Sequence, residues 1–445
     1  MPAVACGAGI IPNFTTAQPT LKPALIVFED ANNVTLEDSR LLDLKFTGLG
    51  SIVNFINCTN ITVSNLTSQG CNAYQILSSF NTVAEANSQF LVQLSSFTNS
   101  PSGAVYVTYH NLTVRDTVFD SLVAAVNSSV DAAVHHDNTD GSFLAIHNCS
   151  FTNIQILGKY APNVVGVDRS NLVILDSHFI NCTASYAIVN IEGSALLNGS
   201  FLANETTTVD GCSFVNCSAA QGALYLLGKD SNPTQQMNLY NSKFIGNEAL
   251  YGGAVTLFAV GTVQVVGCSF ENNYAIWGLS AFYVYGWVQQ VTYFTMHDSS
   301  FIANNGTRSA LADPEQTGIT DTAECSGLYL SSCKCVGIAN STFESNIGIG
   351  LCVHGQLGSS PDCSNSDPVL FNQSTIAGPS AEVFLDDFLD RYDDLVITVD
   401  IRDSHFSDNT DAFLTRTSAE PKQVLPLDYL TGTESSLSHP LAFTH

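Results

Sequence analysis

The sequence predicts an all-β protein, a single right-handed parallel β-helix (solenoid) with irregular insertions. Three observations predict it. A similar phrase recurs along the chain, as in CSFVNCSAAQGALYLLG from Cys212, NSKFIGNEALYGGAVTLF from Asn241 and CSFENNYAIWGLSAFYVYG from Cys268. The aromatic of its S/C-x-F element falls at Phe97, Phe119, Phe151, Phe179, Phe214, Phe244, Phe270, Phe301, Phe343 and Phe406, with most neighbours 22 to 35 residues apart. A period in that range denotes a solenoid, propeller or array. The apolar runs favour Val, Ile, Phe, Thr and Tyr and show little 3.6-residue periodicity, so the repeated element is a strand.

Each unit reads in the same order. A short alternation such as LVILDS from Leu172 or TVQVVG from Thr262 precedes the S-x-F element, an Asn follows, and a Gly/Ala-rich strand such as GALYLL from Gly222 closes the unit. A propeller blade needs four antiparallel strands and about 40 to 45 residues. The unit is too short for that and fits one coil of two or three strands. Coils stack about 4.8 Å apart, so equivalent positions form columns. The Phe column becomes an interior stack, Asn at a bend bonds the coils above and below, and Gly permits a sharp turn.

The asparagines divide into two groups. Asn153, Asn181, Asn216 and Asn272 sit two residues after the Phe, whereas Asn247, Asn273, Asn304, Asn346 and Asn409 sit three after it. An Asn buried in a ladder cannot carry a glycan. Asn181 and Asn216 are N-x-[ST] acceptors and no member of the second group is one, so the second group is expected inside and the first outside. The whole chain, 1–445, reads as one β-helix domain, with a ragged segment at 1–25, insertion-rich stretches at 307–340 and 353–400, and a tail at 416–445.

Composition restricts the function. With 45% hydrophobic residues among 445, a large core is available and disorder is excluded. Lys and Arg number 14 against 40 Asp and Glu, a formal net charge of -26. So few cations cannot neutralise a phosphate backbone, and acidic polysaccharides or anionic lipid surfaces are repelled. No nucleic-acid partner is expected. Membrane insertion is not expected either, because no stretch approaches the roughly 18 apolar residues of a spanning helix. The opening MPAVACGAGIIPNFTTAQPT lacks the basic and apolar regions of a secretory signal.

Two features nevertheless place the protein outside a eukaryotic cell or on its surface. There are fifteen N-x-[ST] acceptors, at Asn13, Asn33, Asn57, Asn60, Asn65, Asn111, Asn127, Asn148, Asn181, Asn198, Asn204, Asn216, Asn305, Asn340 and Asn372, so N-linked glycans are expected. There are also 13 Cys without metal-site spacing, which points to disulfides in an oxidising compartment. Cys182 and Cys217 each lie three residues after their Phe in successive units, so column stacking brings them within bridging range. They are the favoured pair. Cys149, Cys212 and Cys268 lie two before Phe, with Ser in the intervening units. Cys325, Cys333, Cys335, Cys352 and Cys363 cluster where the repeat is irregular and are expected to staple loops, leaving Cys6 as the candidate for an odd thiol or an intermolecular bond.

F-x-x-N together with GGA[ILV] resembles the repeat of the polymorphic outer membrane proteins, surface adhesins within the pectate-lyase-like superfamily of right-handed β-helices. FIGNEALYGGAV, from Phe244 to Val255, is the best copy, and looser copies cover Phe97 to Asn346. The resemblance implies a coil rather than a particular task. The chain departs from those adhesins in lacking a recognisable C-terminal membrane barrel, and its acceptor load resembles that of β-helix surface glycoproteins of eukaryotic protists and algae.

Candidate chemistry is sparse. HHDNTDGS, from His135, contains Asn138-Thr139-Asp140, which resembles the first motif of polygalacturonases, but the second carboxylate pair and the basic element that inverting hydrolysis requires do not follow. Lyase chemistry needs a cluster of Lys or Arg that the chain does not supply. His135 and His136 are adjacent, so in a strand they point to opposite faces and cannot share a metal. No catalytic residue, no metal site and no cofactor is assigned, apart from calcium as a candidate for the carboxylates of DDFLDRYDD, Asp386–Asp394. The aromatics of YAIWGLSAFYVYGWV offer either a carbohydrate platform or plain packing.

The expected function is therefore that of a non-enzymatic structural glycoprotein, a subunit of a surface filament, hair or sheath built by stacking identical or related β-helices end to end. The alternatives are an adhesin or glycan-binding β-helix that uses its flank, and a polysaccharide-active enzyme.

Overall fold

The computed structural model describes residues 24–355 except 47–49, 82–87, 125–131, 138–141, 158–161, 169, 193–204, 229–234, 277–280, 286–292, 307–324, 332, 334 and 348. Between 369 and 424 it describes the backbone of seven strands, from Val369–Asn372 to Gln423–Val424.

One turn of chain supplies three strands. In the turn around Phe179 these are Asn163–Asp168, Asn171–Leu175 and His178–Ile180. Each pairs in parallel with the equivalent strand one turn earlier and one turn later, and the result is three long sheets of 15, 13 and 13 strands. The final pair of the first sheet, Phe413–Arg416 with Gln423–Val424, is antiparallel. The protein is an all-β parallel solenoid.

The narrow third sheet carries the Phe column. From Phe97 to Phe343 the rings stack face to face, with centroids 4.5 Å apart at Phe270–Phe301 and 5.3 Å apart at Phe97–Phe119. Phe97 through Phe301 are fully buried. Burial of each ring contributes roughly 1.5–3 kcal/mol. The column begins earlier than the aromatic alignment suggests. Leu41 and Ser68 occupy the Phe position in the first two turns, and Ile376 holds it between Phe343 and Phe406.

Two single-residue left-handed bends bracket each narrow strand. The bend before it falls at Asp38, Asn65, Leu94, Asp116, Asn148, Asp176, Gly211, Asn241, Gly267, Asp298 and Asn340. The bend after it falls at Asp43, Gly70, Asn99, Ser121, Asn153, Asn181, Asn216, Gly246, Asn272, Ala303 and Ser345. All have φ between 46° and 65°, a region that Asn, Asp and Gly enter at least cost, which is why those types recur. At Gly211 the packing adds a second demand, since a Cβ would lie 2.6 Å from Asp176 Oδ1 in the turn below.

Immediately inside each bend runs a polar ladder. Three residues after the Phe, Asn247, Asn273, Asn304 and Asn346 are buried, and each of the first three donates through Nδ2 to the Oδ1 of the next at 3.0 Å. Asn153, Asn181, Asn216 and Asn272, two after the Phe, are exposed. Both groups lie where the acceptor pattern places them, and Asn409 is outside the described residues.

The stretches read as insertions also contain coil. Cys325–Ser331 and Cys335–Ala339 are strands of the first and second sheets, and Val369–Asn372, Thr375–Ala377 and Val383–Asp387 supply a further turn. The first strand, Ala24–Glu29, begins inside the segment read as ragged, and Gln423–Val424 lies inside the tail.

Candidate functional site

The outer face of the first sheet carries an aromatic row. Alternation along each strand sends one residue in and the next out. Across successive strands the outward column reads Tyr106, His135, Gly166, Asn190, Tyr225, Thr256, Tyr283, Tyr329 and Cys352. A parallel column adds Phe258 and Tyr285. Tyr106 stacks on His135 with centroids 5.0 Å apart, and His135 Nε2 lies 3.5 Å from Asp168 Oδ2. Further along, Phe258 meets Tyr283 edge-on at 5.6 Å, and Tyr283 meets Tyr329 at 5.1 Å. Burial raises the Tyr225 hydroxyl, helped by its hydrogen bond with Tyr186, and burial beside Tyr329 and Tyr285 raises that of Tyr283. These phenols stay protonated and can act as donors.

A disulfide joins Cys325 to Cys352 within this patch, across 27 residues and a Cα–Cα distance of 6.2 Å. It comes from the cluster read as loop staples. Cys182 and Cys217 differ from expectation. They stack in adjacent turns, as their column requires, but their thiols are unjoined and in hydrogen-bond contact, which together with burial pushes the Cys182 thiol well up. Each also donates to a carbonyl of the turn below, Phe151 O at 3.4 Å and Phe179 O at 3.5 Å. Cys149, Cys212 and Cys268 alternate with Ser177, Ser242 and Ser299 in the other interior ladder. Burial pushes these three thiols, and that of Cys333, up to about 12. Among the described residues eight cysteines are buried and free of disulfides, and six of them, Cys71, Cys149, Cys182, Cys212, Cys217 and Cys268, donate to a carbonyl of the turn below. Cys335 is described by its backbone alone, and Cys6 and Cys363 lie outside the described residues.

The glycan acceptors fall mainly on the bends. Asn33, Asn57, Asn60, Asn65, Asn148, Asn181, Asn216 and Asn340 are exposed with positive φ. Asn111 and Asn305 are half-buried and extended. Asn372 is described by its backbone alone, and Asn13, Asn127, Asn198 and Asn204 lie outside the described residues.

Two histidines that carry little weight in the sequence form a buried polar cluster. His110 Nε2 and Nδ1 lie 2.8 and 2.7 Å from the hydroxyls of Ser79 and Ser88, and His136 Nε2 lies 2.7 Å from His110 O. His135, next door, faces outward, as strand alternation demands. Burial lowers both His110 and His136 to about 4, so each is neutral at physiological pH. The Asn138-Thr139-Asp140 motif lies outside the described residues. So do Asp390, Asp393 and Asp394 of the calcium candidate, while Asp386 and Asp387 are described by their backbone alone. Among the described residues no group of three or more His, Cys, Asp or Glu is placed to hold a metal, and no helix is long and apolar enough to cross a membrane.

No protein-family model matches the chain, and no solved structure does. One stretch is similar to a receptor-like protein. Over 179 residues the chain is 27% identical to the metabotropic glutamate receptor-like protein R of Dictyostelium discoideum, a stretch that is 39% of this chain and 10% of that protein. The match spans about a tenth of its relative's length.

Proposed function

We propose that the chain is a non-enzymatic, extracellular structural glycoprotein, a stiff β-helical rod at a eukaryotic cell surface that stacks in line with identical or related β-helices. One observation carries this reading. Ile26, Phe28, Leu36, Leu44 and Phe46 belong to the first described turn, pack on the core and remain only partly buried, while their equivalents one turn on, such as Val53 and Phe55, are fully buried. Among the described residues the core is open at that end, and Ala24–Glu29 pairs only with Ser51–Ile56. An unpaired parallel edge with an apolar interior is a template for another coil. At the other end Gln423–Val424 lies antiparallel on the first sheet, so the two ends differ and stacking would be heterologous.

Negative-stain electron microscopy of the full chain from a eukaryotic secretory host tests this. The first sheet has 15 strands, the last antiparallel, so its 14 parallel strands make a rod of about 60 Å at roughly 4.8 Å per step. Filaments with an axial repeat near that length, dispersed by Ile26→Lys, support the reading. Isolated rods at every concentration overturn it.

The aromatics of the row that stay partly exposed, Tyr106, Phe258 and Tyr285, favour a second reading, an adhesin that binds along its flank. It predicts monomeric rods and a ligand released by Tyr285→Ala.

A further inference from the structure

The glycan acceptors are of two geometric kinds, and the difference has a consequence for modification. At the eight positive-φ bends the Asn side chain leaves a convex corner of the coil and is exposed. Several of these carboxamides already act across turns. Asn65 Nδ2 donates to Asp38 Oδ1 at 2.6 Å, Asn148 Nδ2 to Asp116 Oδ1 at 2.7 Å, Asn57 Nδ2 to Asp30 Oδ1 at 3.2 Å and Asn181 Nδ2 to Asn153 Oδ1 at 3.3 Å. Asn340 makes the same contact with Asp298. An amide nitrogen carries two hydrogens, and a sugar replaces one of them. The folded bend therefore accepts a glycan and retains its bond to the turn below.

The two extended acceptors are built differently. Asn111 starts a strand of the second sheet, in register with Gln89, and its Oδ1 accepts the backbone N–H of Phe143 at 3.2 Å in the turn above. Asn305 lies in a bridge column between Tyr274 and Ile347. Both side chains are half-buried between their neighbours, whereas the bend side chains are exposed, so a sugar on Asn111 or Asn305 has less room than one at a bend.

We infer that N-glycans are carried by the left-handed bend asparagines Asn33, Asn57, Asn60, Asn65, Asn148, Asn181, Asn216 and Asn340, and that Asn111 and Asn305 remain bare. This rests on the glycoprotein reading above and makes it specific to a surface. Asn65, Asn148 and Asn340 line one border of the narrow sheet and Asn181 and Asn216 the other, so the sugars fence that sheet. Among the described residues the outer face of the first sheet, with its aromatic row, carries no acceptor.

The test is site-by-site occupancy of the full chain made in a eukaryotic secretory host. A glycan-releasing amidase in heavy-oxygen water converts each occupied Asn to a labelled Asp, which peptide mass spectrometry locates. Label at the bend positions with unmodified Asn111 and Asn305 is the expected result. Thr67→Val, which removes the acceptor at Asn65, should lower the intact mass by one glycan, whereas Thr113→Val, which removes that at Asn111, should remove none. Occupancy of Asn111 or Asn305 equal to that of the bends overturns the inference while leaving the glycoprotein reading intact. A chain with no labelled Asn overturns both.

Discussion

Asn273 Oδ1 accepts two hydrogen bonds from Asn247, one from its backbone N–H and one from its Nδ2, each at 3.0 Å. The same side chain donates to Phe244 O and to Asn304 Oδ1, also at 3.0 Å. Four groups in the two flanking turns thus depend on one buried carboxamide. Asn273→Ala leaves them unsatisfied, at about 1–3 kcal/mol for each group that finds no water, and is expected to cost about 3–5 kcal/mol in urea denaturation. Asn272, its exposed neighbour, sits at φ 53°. Asn272→Gly is expected to change stability by only a few tenths of a kcal/mol, and equal costs at the two positions would refute the division into ladder and bend.

His110 and His136 predict an acid limit. Both are neutral in the folded protein with values near 4, whereas an unfolded His takes a proton near pH 6.5. Below that value the unfolded state binds more protons, so stability is complete above about 6.5 and is lost as pH falls towards 4. The shift corresponds to roughly 3 kcal/mol per group once both limits are passed. Denaturation midpoints at pH 7 and 4.5 measure it, and His110→Gln should flatten the slope. A midpoint that does not fall with acid would show that the cluster is hydrated.

The cysteine ladder predicts slow thiol chemistry. A thiol near 12 has almost no thiolate at neutral pH, and burial blocks the reagent. Native protein should leave Cys149, Cys212 and Cys268 unalkylated by iodoacetamide over hours, with full labelling in denaturant. Cys212→Ser should cost less than about 1 kcal/mol, because Ser177 and Ser242 hold the same place in the turns on either side. Rapid native labelling would show that the ladder opens.

What the sequence reveals follows from how strictly a position repeats. The Phe stack and the two Asn groups are legible because the same residue type returns to the same place in most turns. The Leu41, Ser68 and Ile376 turns are hidden because the aromatic that marks the register is replaced. The expected Cys182–Cys217 bridge rests on correct stacking, but a buried thiol also serves as a weak donor to the turn below, and spacing does not separate the two roles. The Cys325–Cys352 bond, between strands of the first sheet, is legible only as a cluster. The aromatic row is legible in part, since one repeat contains Phe282, Tyr283 and Tyr285 but the outward column emerges only when strands are placed side by side.

Ser68 yields the last prediction. It occupies the Phe position between Leu41 and Phe97, is fully buried, and its hydroxyl has no hydrogen-bond partner among the described residues. A buried hydroxyl without a partner costs about 1–3 kcal/mol in desolvation. Removing it alone opens a space no larger than one oxygen atom, so Ser68→Ala should stabilise the protein by about 1 kcal/mol and raise the urea midpoint. Ser68→Phe asks a different question, whether the second turn has room for a ring. It should destabilise, because the neighbouring Leu41 and Phe97 are already packed and overfilling a core costs about 1–3 kcal/mol. If Ser68→Ala instead lowers the midpoint, the hydroxyl holds a bound water and the first turns contain a hydrated core rather than a dry one.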